Sequence, residues 1–199
     1  MAEPDPVRVV PLAGPAIAPL LPALAELRIQ VFRDFPYLYD GDLAYERWYL
    51  ERFAAAEQAL VVAALDGERL VGAATAAPLA AEHEDFRAPF IRLGIDPADV
   101  FYLAESVLLG GFRGQGIGHA FFDEQEAAGR RLGFGKAAFC AVVRPLDHPL
   151  RPPGYRPLDG FWRRRGYVPV PGMTTTFPWK DLDEAEASPK PMQFWLREL

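Results

Sequence analysis

Apolar positions along this chain fall into two spacings, and the alternation between them predicts its elements. Val7 to Val10 is a short β-branched run that predicts a strand, which Pro11 to Pro15 should break. Leu20, Leu24, Leu27 and Val31 recur every three or four positions and predict a helix over Leu20 to Phe32, with Arg28 and Arg33 off its apolar stripe. Phe35 to Asp42 is aromatic and acidic with turn residues inside it. Tyr45, Trp48, Tyr49 and Phe53 then mark a second helix over Leu43 to Phe53. Gln58 to Ala64 and Leu70 to Ala77 read as strands joined at an Asp66-Gly67 hairpin turn. Pro78 to Asp99 should be irregular or partly helical.

Phe101 to Leu109 predicts another strand. Ile117, Phe121, Ala128 and Leu132 mark the buried face of a helix over Ile117 to Leu132, ended by Gly133 and Gly135. Lys136 to Val143 has almost no polar residue, which predicts a strand covered on both faces. Arg144 to Leu158 is a connection stiffened by five prolines. A short helix, Asp159 to Arg165, ends at Gly166. Strands follow over Val168 to Phe177 and Met192 to Leu196, with an acidic loop from Lys180 to Lys190 between them. Hairpin strands first and a βαβ unit later predict an α/β fold: a mixed sheet with helices on both faces. No repeat or domain boundary interrupts this order, so residues 1–199 read as one domain with a flexible tail over 1–6.

Composition narrows the function. Half of the 199 residues are apolar and 24% are charged, as in an ordinary globular protein. The net charge of −6 argues against nucleic acid as the main partner. No uninterrupted apolar run reaches 18 residues, and the acidic, proline-rich start lacks the regions of a signal peptide, so the expected setting is cytoplasmic, with no membrane partner. Cys140 is the only cysteine and lies in an apolar run, which suits packing. His83, His119 and His148 have no metal-ligand spacing, so no metal is expected.

The chemistry concentrates at Arg113-Gly-Gln-Gly-Ile-Gly118, between a predicted strand and a predicted helix. Glycines let backbone approach an anion closely, and the first N–H groups of a helix have no partner within it. A phosphate ligand follows. A P-loop would need Gly-Lys-Ser or Gly-Lys-Thr, which the chain lacks. A dinucleotide fold would need G-x-G-x-x-G after an early strand, whereas Gly114, Gly116 and Gly118 give G-x-G-x-G in mid-chain.

The stretch fits [Q/R]-x-x-G-x-[G/A] at every specified position and resembles the pyrophosphate loop of the GNAT N-acetyltransferase superfamily. Phe161-Trp-Arg-Arg-Arg-Gly-Tyr167, about 45 residues on, resembles that family's late helix and turn. The likeness is specific over Phe101 to Tyr167 and extends elsewhere as element order. It implies a GNAT-like sheet of about seven strands that splays open in the middle, with acetyl-CoA lying in the split as acyl donor. Its pyrophosphate would rest on Arg113, Gly114, Gln115, Gly116, Ile117 and Gly118. Its amide-rich arm would pair with backbone of Val107, Leu108 and Leu109, and the oxyanion would meet an N–H near Leu108. Exposed late strands make a homodimer an option in such folds.

Acetyl transfer to a lysine-like amine needs a base, since at pH 7 deprotonation costs about 4.6 kcal/mol. Glu105, a carboxylate within an apolar strand, is the candidate, with a salt bridge as the alternative role for it. The family often places a Tyr acid where this chain has Trp162, which leaves Tyr155 or Tyr167 as the proton donor. Tyr37, Tyr39, Asp40 and Asp42 are candidates for holding a small-molecule amine, or are aromatics and caps of a helix–helix turn. The Arg163-Arg164-Arg165 run reads as a solvated helix end or a phosphate contact. The rival to an enzyme is a non-catalytic acyl-CoA-binding or sensor module on the same fold. A further rival is an unrelated α/β protein whose glycines form only a turn.

Overall fold

The computed structural model describes residues 6–199; the tail expected over residues 1–6 lies, apart from Pro6, outside the described residues. Seven strands form one mixed sheet in the order β1-β2-β3-β4-β5-β7-β6. They are β1 (Arg8–Ala13), β2 (Leu60–Asp66), β3 (Arg69–Pro78), β4 (Val100–Leu108), β5 (Lys136–Val142), β6 (Val168–Trp179) and β7 (Ser188–Glu198). The helices are α1 (Leu21–Phe32), α2 (Leu43–Ala54), α3 (Glu84–Arg92), α4 (Ile117–Leu132) and α5 (Asp159–Arg164).

Phe121, Phe122 and Ala128 of α4, with Phe161 and Trp162 of α5, cover one face of the sheet. Leu24 and Leu27 of α1 and Leu50 and Phe53 of α2 cover β2 to β4 on the other. Phe90 of α3 packs on that same face over β4, β5 and β7, against Tyr102, Ala138 and Phe194. The helical stretch Gly14–Phe32 is long and apolar enough to span a membrane by length and composition alone. In this fold its Ile17, Leu24, Ala25 and Leu27 are buried in the core instead.

Several local expectations change. β1 runs through Pro11, because β1 is the sheet's edge and a proline there has an outer side with no ladder bond to lose. Arg28 is buried, since it follows Leu24 by four positions and shares its stripe. On α2 the buried positions are Glu46, Leu50 and Phe53, while Tyr45 and Trp48 remain exposed. Leu132 is exposed at the end of α4. Part of Pro78 to Asp99 becomes α3, with Pro89 inside it.

Two features open the sheet. The parallel pairing of β4 with β5 covers only Val100–Tyr102 against Lys136–Ala138, after which the strands part. Beside that point, Thr75 pairs with Glu105 and Ala76 with Leu103, so Ala104 is an extra residue in β4. The bulge reverses the facing of later side chains. Phe101 and Leu103 pack with α4, but Val107 packs with α1. Gln125 of α4 braces this region from above, its Nε2 donating to the Thr75 carbonyl at 2.9 Å.

Close approach of α4 to the sheet depends on Gly72. A Cβ there would lie 2.5 Å from Leu108 Cδ1 and 3.1 Å from both Phe121 Cζ and the Val107 carbonyl oxygen. Gly72→Ala should therefore lower the free energy of unfolding by about 1–3 kcal/mol through overpacking, read as an earlier midpoint in urea.

Candidate active site

Beyond β4 the chain makes a short turn over Gly110–Phe112, leaves it with Arg113 extended, and enters α4 at Ile117. Gly114 and Gly116 have φ of +78° and +84°, a conformation that disfavours side chains. Added Cβ atoms at either glycine would meet nothing within 4 Å. Gly116 caps α4 with its carbonyl, which accepts from His119 and Ala120. Among the described residues, no backbone N–H from Gly114 to Gly118 donates to a protein acceptor. No acidic side chain stands in the first turn of α4. Five undirected amides at a helix N-terminus form an anion cradle. Arg113 braces the cradle from behind: Nε donates to the Leu108 carbonyl at 3.2 Å, and the guanidinium lies 3.7 Å from Asp34. Gln115 Nε2 closes the turn onto the Gly111 carbonyl at 3.1 Å.

A cleft of about 1900 Å³ runs from this cradle, through the split between β4 and β5, to the aromatic side chains of α1 and α2. Past Tyr102, the β4 edge facing the cleft has no strand partner. Which backbone groups it offers follows from antiparallel alternation. Leu109 N–H donates to Val71 at 3.0 Å, and Val107 stands opposite Ala73 two residues earlier, so both face β3. The alternate residues, Ser106 and Leu108, turn their backbone groups to the cleft, and the Leu108 N–H is free there. Of the three residues expected along an amide-rich ligand, only Leu108 offers backbone on that edge.

The other end of the cleft holds a buried charge cluster. The bulge at Ala104 turns Glu105 toward α1, where its carboxylate pairs with Arg28. The same guanidinium donates from Nε to Glu46 of α2. Arg28 also lies over the rings of Tyr49, at 4.6 Å, and Phe32, at 5.3 Å. The Glu105 and Glu46 side chains are 7% and 1% exposed, and Oε1 of each has no hydrogen-bond partner. Glu82 lines the same space, and burial raises its carboxyl above the usual range. Sequence reasoning found Glu105 and passed over Arg28, Glu46 and Glu82. The available signal was a charged residue at a stripe position, in α1 and again in α2.

The remaining candidates separate. Tyr155 lines the cleft, edge-on to Phe35 at 4.7 Å, with its hydroxyl pKa raised by burial. Tyr37 and Tyr39 line it as well, and burial raises both hydroxyls, with the Glu46 carboxylate adding to the effect on Tyr39. Asp40 and Asp42 do not line it. Lys180 donates to Asp40 at 2.8 Å and holds its carboxyl below the usual range, while Asp42 caps α2 by accepting from the Tyr45 N–H at 2.8 Å. Tyr167 also lies outside the cleft, fully buried, its hydroxyl donating to Glu126 at 3.2 Å. Trp162 borders the cleft and packs between Phe139 and Trp195, at 4.9 and 5.1 Å. Arg163 and Arg164 are exposed, but Arg165 pairs with Asp123 and Glu126. Burial pushes the Cys140 thiol up to about 12, and the Tyr102 hydroxyl lies 3.0 Å from its sulfur. Arg144 clamps the Phe35–Tyr39 turn, donating to the Pro36 and Tyr37 carbonyls and, through both terminal nitrogens, to Asp181.

A split mixed sheet with an anion cradle after its fourth strand defines an acetyltransferase fold. The sequence matches the family model for acetyltransferase (GNAT) over residues 22–152. This chain belongs to that family. No curated protein matches the sequence. Solved structures similar to it are a ribosomal-protein-alanine N-acetyltransferase from Brucella melitensis (16% identity, TM-score 0.61, covering 96% of this chain and 99% of that one), a GCN5-related N-acetyltransferase from Kribbella flavida (17%, 0.57, 99% and 100%) and an acetyltransferase from Thermus thermophilus (16%, 0.57, 100% and 100%). At these identities the likeness is one of fold.

Arg28 separates two buried carboxylates. Arg28→Met should destabilise the protein by about 3–5 kcal/mol, because it leaves both without a counter-ion. Glu46→Gln should cost clearly less. Urea unfolding of the two variants beside the parent checks that order.

Proposed function

We propose that this protein is an N-acetyltransferase that moves the acetyl group of acetyl-CoA to a primary amine of a small molecule, by direct attack with both substrates bound. The observation that carries the reading is the row of undonated N–H groups from Gly114 to Gly118, at a helix start that excludes side-chain acids. These amides and the open space at Gly114 and Gly116 suit the coenzyme's pyrophosphate. Hydrogen bonds to a charged group contribute about 1.5–3 kcal/mol each. The coenzyme supplies a thioester carbonyl as acyl donor. The Leu108 N–H, free on the cleft side of β4, can donate to that carbonyl oxygen. The cytoplasmic setting expected from sequence belongs to this reading.

Glu105 serves as the base. Glu105 takes one proton from the bound ammonium, the freed amine nitrogen bonds to the acyl carbon, and the carbon–sulfur bond then breaks; the second nitrogen proton goes to the departing sulfur, directly or by way of Tyr155, leaving amide and free thiol. The Arg28 pair fixes one Glu105 oxygen and leaves Oε1 to receive the proton. A non-catalytic coenzyme-binding module is the second reading. Trp162 favours it, as an indole packed between rings where an acid is expected.

Free thiol released from acetyl-CoA over a library of amines separates the two readings. Turnover with any amine supports the enzyme, and coenzyme binding without turnover supports the module. Glu105→Gln should cut turnover at least about tenfold at pH 7. The loss should shrink as pH rises toward the amine's own pKa near 10.4, because deprotonated amine then needs no base. A loss constant across pH would remove Glu105 from proton transfer. Gly116→Val should raise the KM for acetyl-CoA at least about tenfold, since a branched residue resists positive φ and intrudes on the cradle.

A further inference from the structure

The acceptor end of the cleft carries more negative charge than its own cations balance. Three carboxylates, Glu46, Glu82 and Glu105, line it around the guanidinium of Arg28, while Arg144, equally buried on the cleft wall, is committed to Asp181, and Arg151 lies over Tyr155. Arg28 offers little to an incoming anion, because its Nε and one terminal nitrogen are taken by Glu46 and Glu105 and it lies over two aromatic rings. Arg52 stands at the mouth over Trp48, at 4.9 Å, and the exposed His83 borders the rim. Inside, Glu46 Oε1 and Glu105 Oε1 are buried acceptors without donors. Both carboxylates grip the same guanidinium, so their free oxygens belong to one small region of the wall.

The wall beside them is aromatic. Tyr39, Tyr45, Trp48 and Tyr49 all line the cleft. Tyr45 and Trp48 are 41% and 51% exposed, although their helix has a buried face of its own to which they do not belong. Their rings lean on one another, 5.8 Å apart. Rings standing at a cavity mouth beside two carboxylates that share one guanidinium match a cation with an apolar body.

Resting on the acetyltransferase reading, we infer that the acceptor is a small cationic amine bearing no carboxylate, its ammonium seated between Glu46 and Glu105 and its carbon body against Tyr39, Tyr45 and Trp48. Glu46 binds and does not take the proton, so it sets specificity, while Glu105 acts as base. A carboxylate beside the amine, as in an α-amino acid, would be desolvated among three like charges, which disfavours it strongly.

The test compares skeleton-matched pairs with and without the carboxylate, phenethylamine against phenylalanine and butylamine against norvaline. Thiol release gives kcat/KM, and calorimetry on the coenzyme A-bound protein gives the Kd of each amine. The amine of each pair should exceed its amino acid at least about tenfold in both measures, the scale of one hydrogen bond to a charged group. Glu46→Gln should raise amine KM and Kd about tenfold or more while changing kcat far less. Glu46→Asp, which keeps the charge, should restore part of the affinity. Amino acids used as well as their amines, or amine affinity unaffected by Glu46→Gln in a folded variant, would overturn the inference and leave the acetyltransferase reading standing. Glu46-dependent amine binding with no thiol release from any amine would do the reverse. No binding by either amine would also overturn the inference.

Discussion

One extra residue in β4 sets the arrangement of the whole site. A strand shows alternate faces, so inserting Ala104 exchanges the facing of every residue after it. Without it, Glu105 would follow Leu103 onto the α4 face, among phenylalanines, where an ionised carboxylate has no partner. With it, Glu105 meets Arg28, and through Arg28 it meets Glu46 on a different helix. The same local twist accompanies the parting of β4 from β5, which exposes backbone along one edge. Charge cluster, cleft and open strand edge thus share one local origin.

The two ends of the cleft are built on opposite principles. The cradle at Gly114–Gly118 uses backbone alone and leaves its donors unmatched. Its charge comes from peptide dipoles at a helix start, so side chains there serve mainly to stay out of the way. The far end uses side chains from three elements, α1, α2 and β4, and leaves acceptors unmatched. One end is an electropositive socket and the other an electronegative one, joined by a strand edge that can take an extended, amide-bearing chain.

The cradle was legible in the sequence because its chemistry is local. Glycines, a preceding apolar run and a following amphipathic stretch lie within 33 consecutive positions, from Phe101 to Gly133. The order of the seven strands and the ends of α4 followed from spacing for the same reason, whereas α3 read only as part of an irregular or partly helical stretch. The far end of the cleft was legible only at Glu105. Arg28 reads as a surface residue until it is seen four positions after Leu24, and Glu46 stands beside aromatic residues that look more like core than it does. A bulge carries no compositional mark here, so the turn of Glu105 toward α1 could not be read from alternation. Asp42 and Asp40 misdirected the reading toward substrate for a related reason: a cap and a surface ion pair use the same residue types as a cation site.

Arg144 gives this division a mechanical side. Its four hydrogen bonds join the Phe35–Tyr39 turn to Asp181 in the loop between β6 and β7, with the Trp179 indole adding a hydrogen bond to Tyr37 at 2.9 Å. The aromatic rim contributed by Tyr37 and Tyr39 is therefore fastened to the far side of the sheet, 142 residues along the chain from Tyr37 to Trp179. A rim anchored in that way does not flap independently over its guest. Molecules would be sorted by the outline of a standing doorway, and those too broad for it would be turned away before any chemistry began.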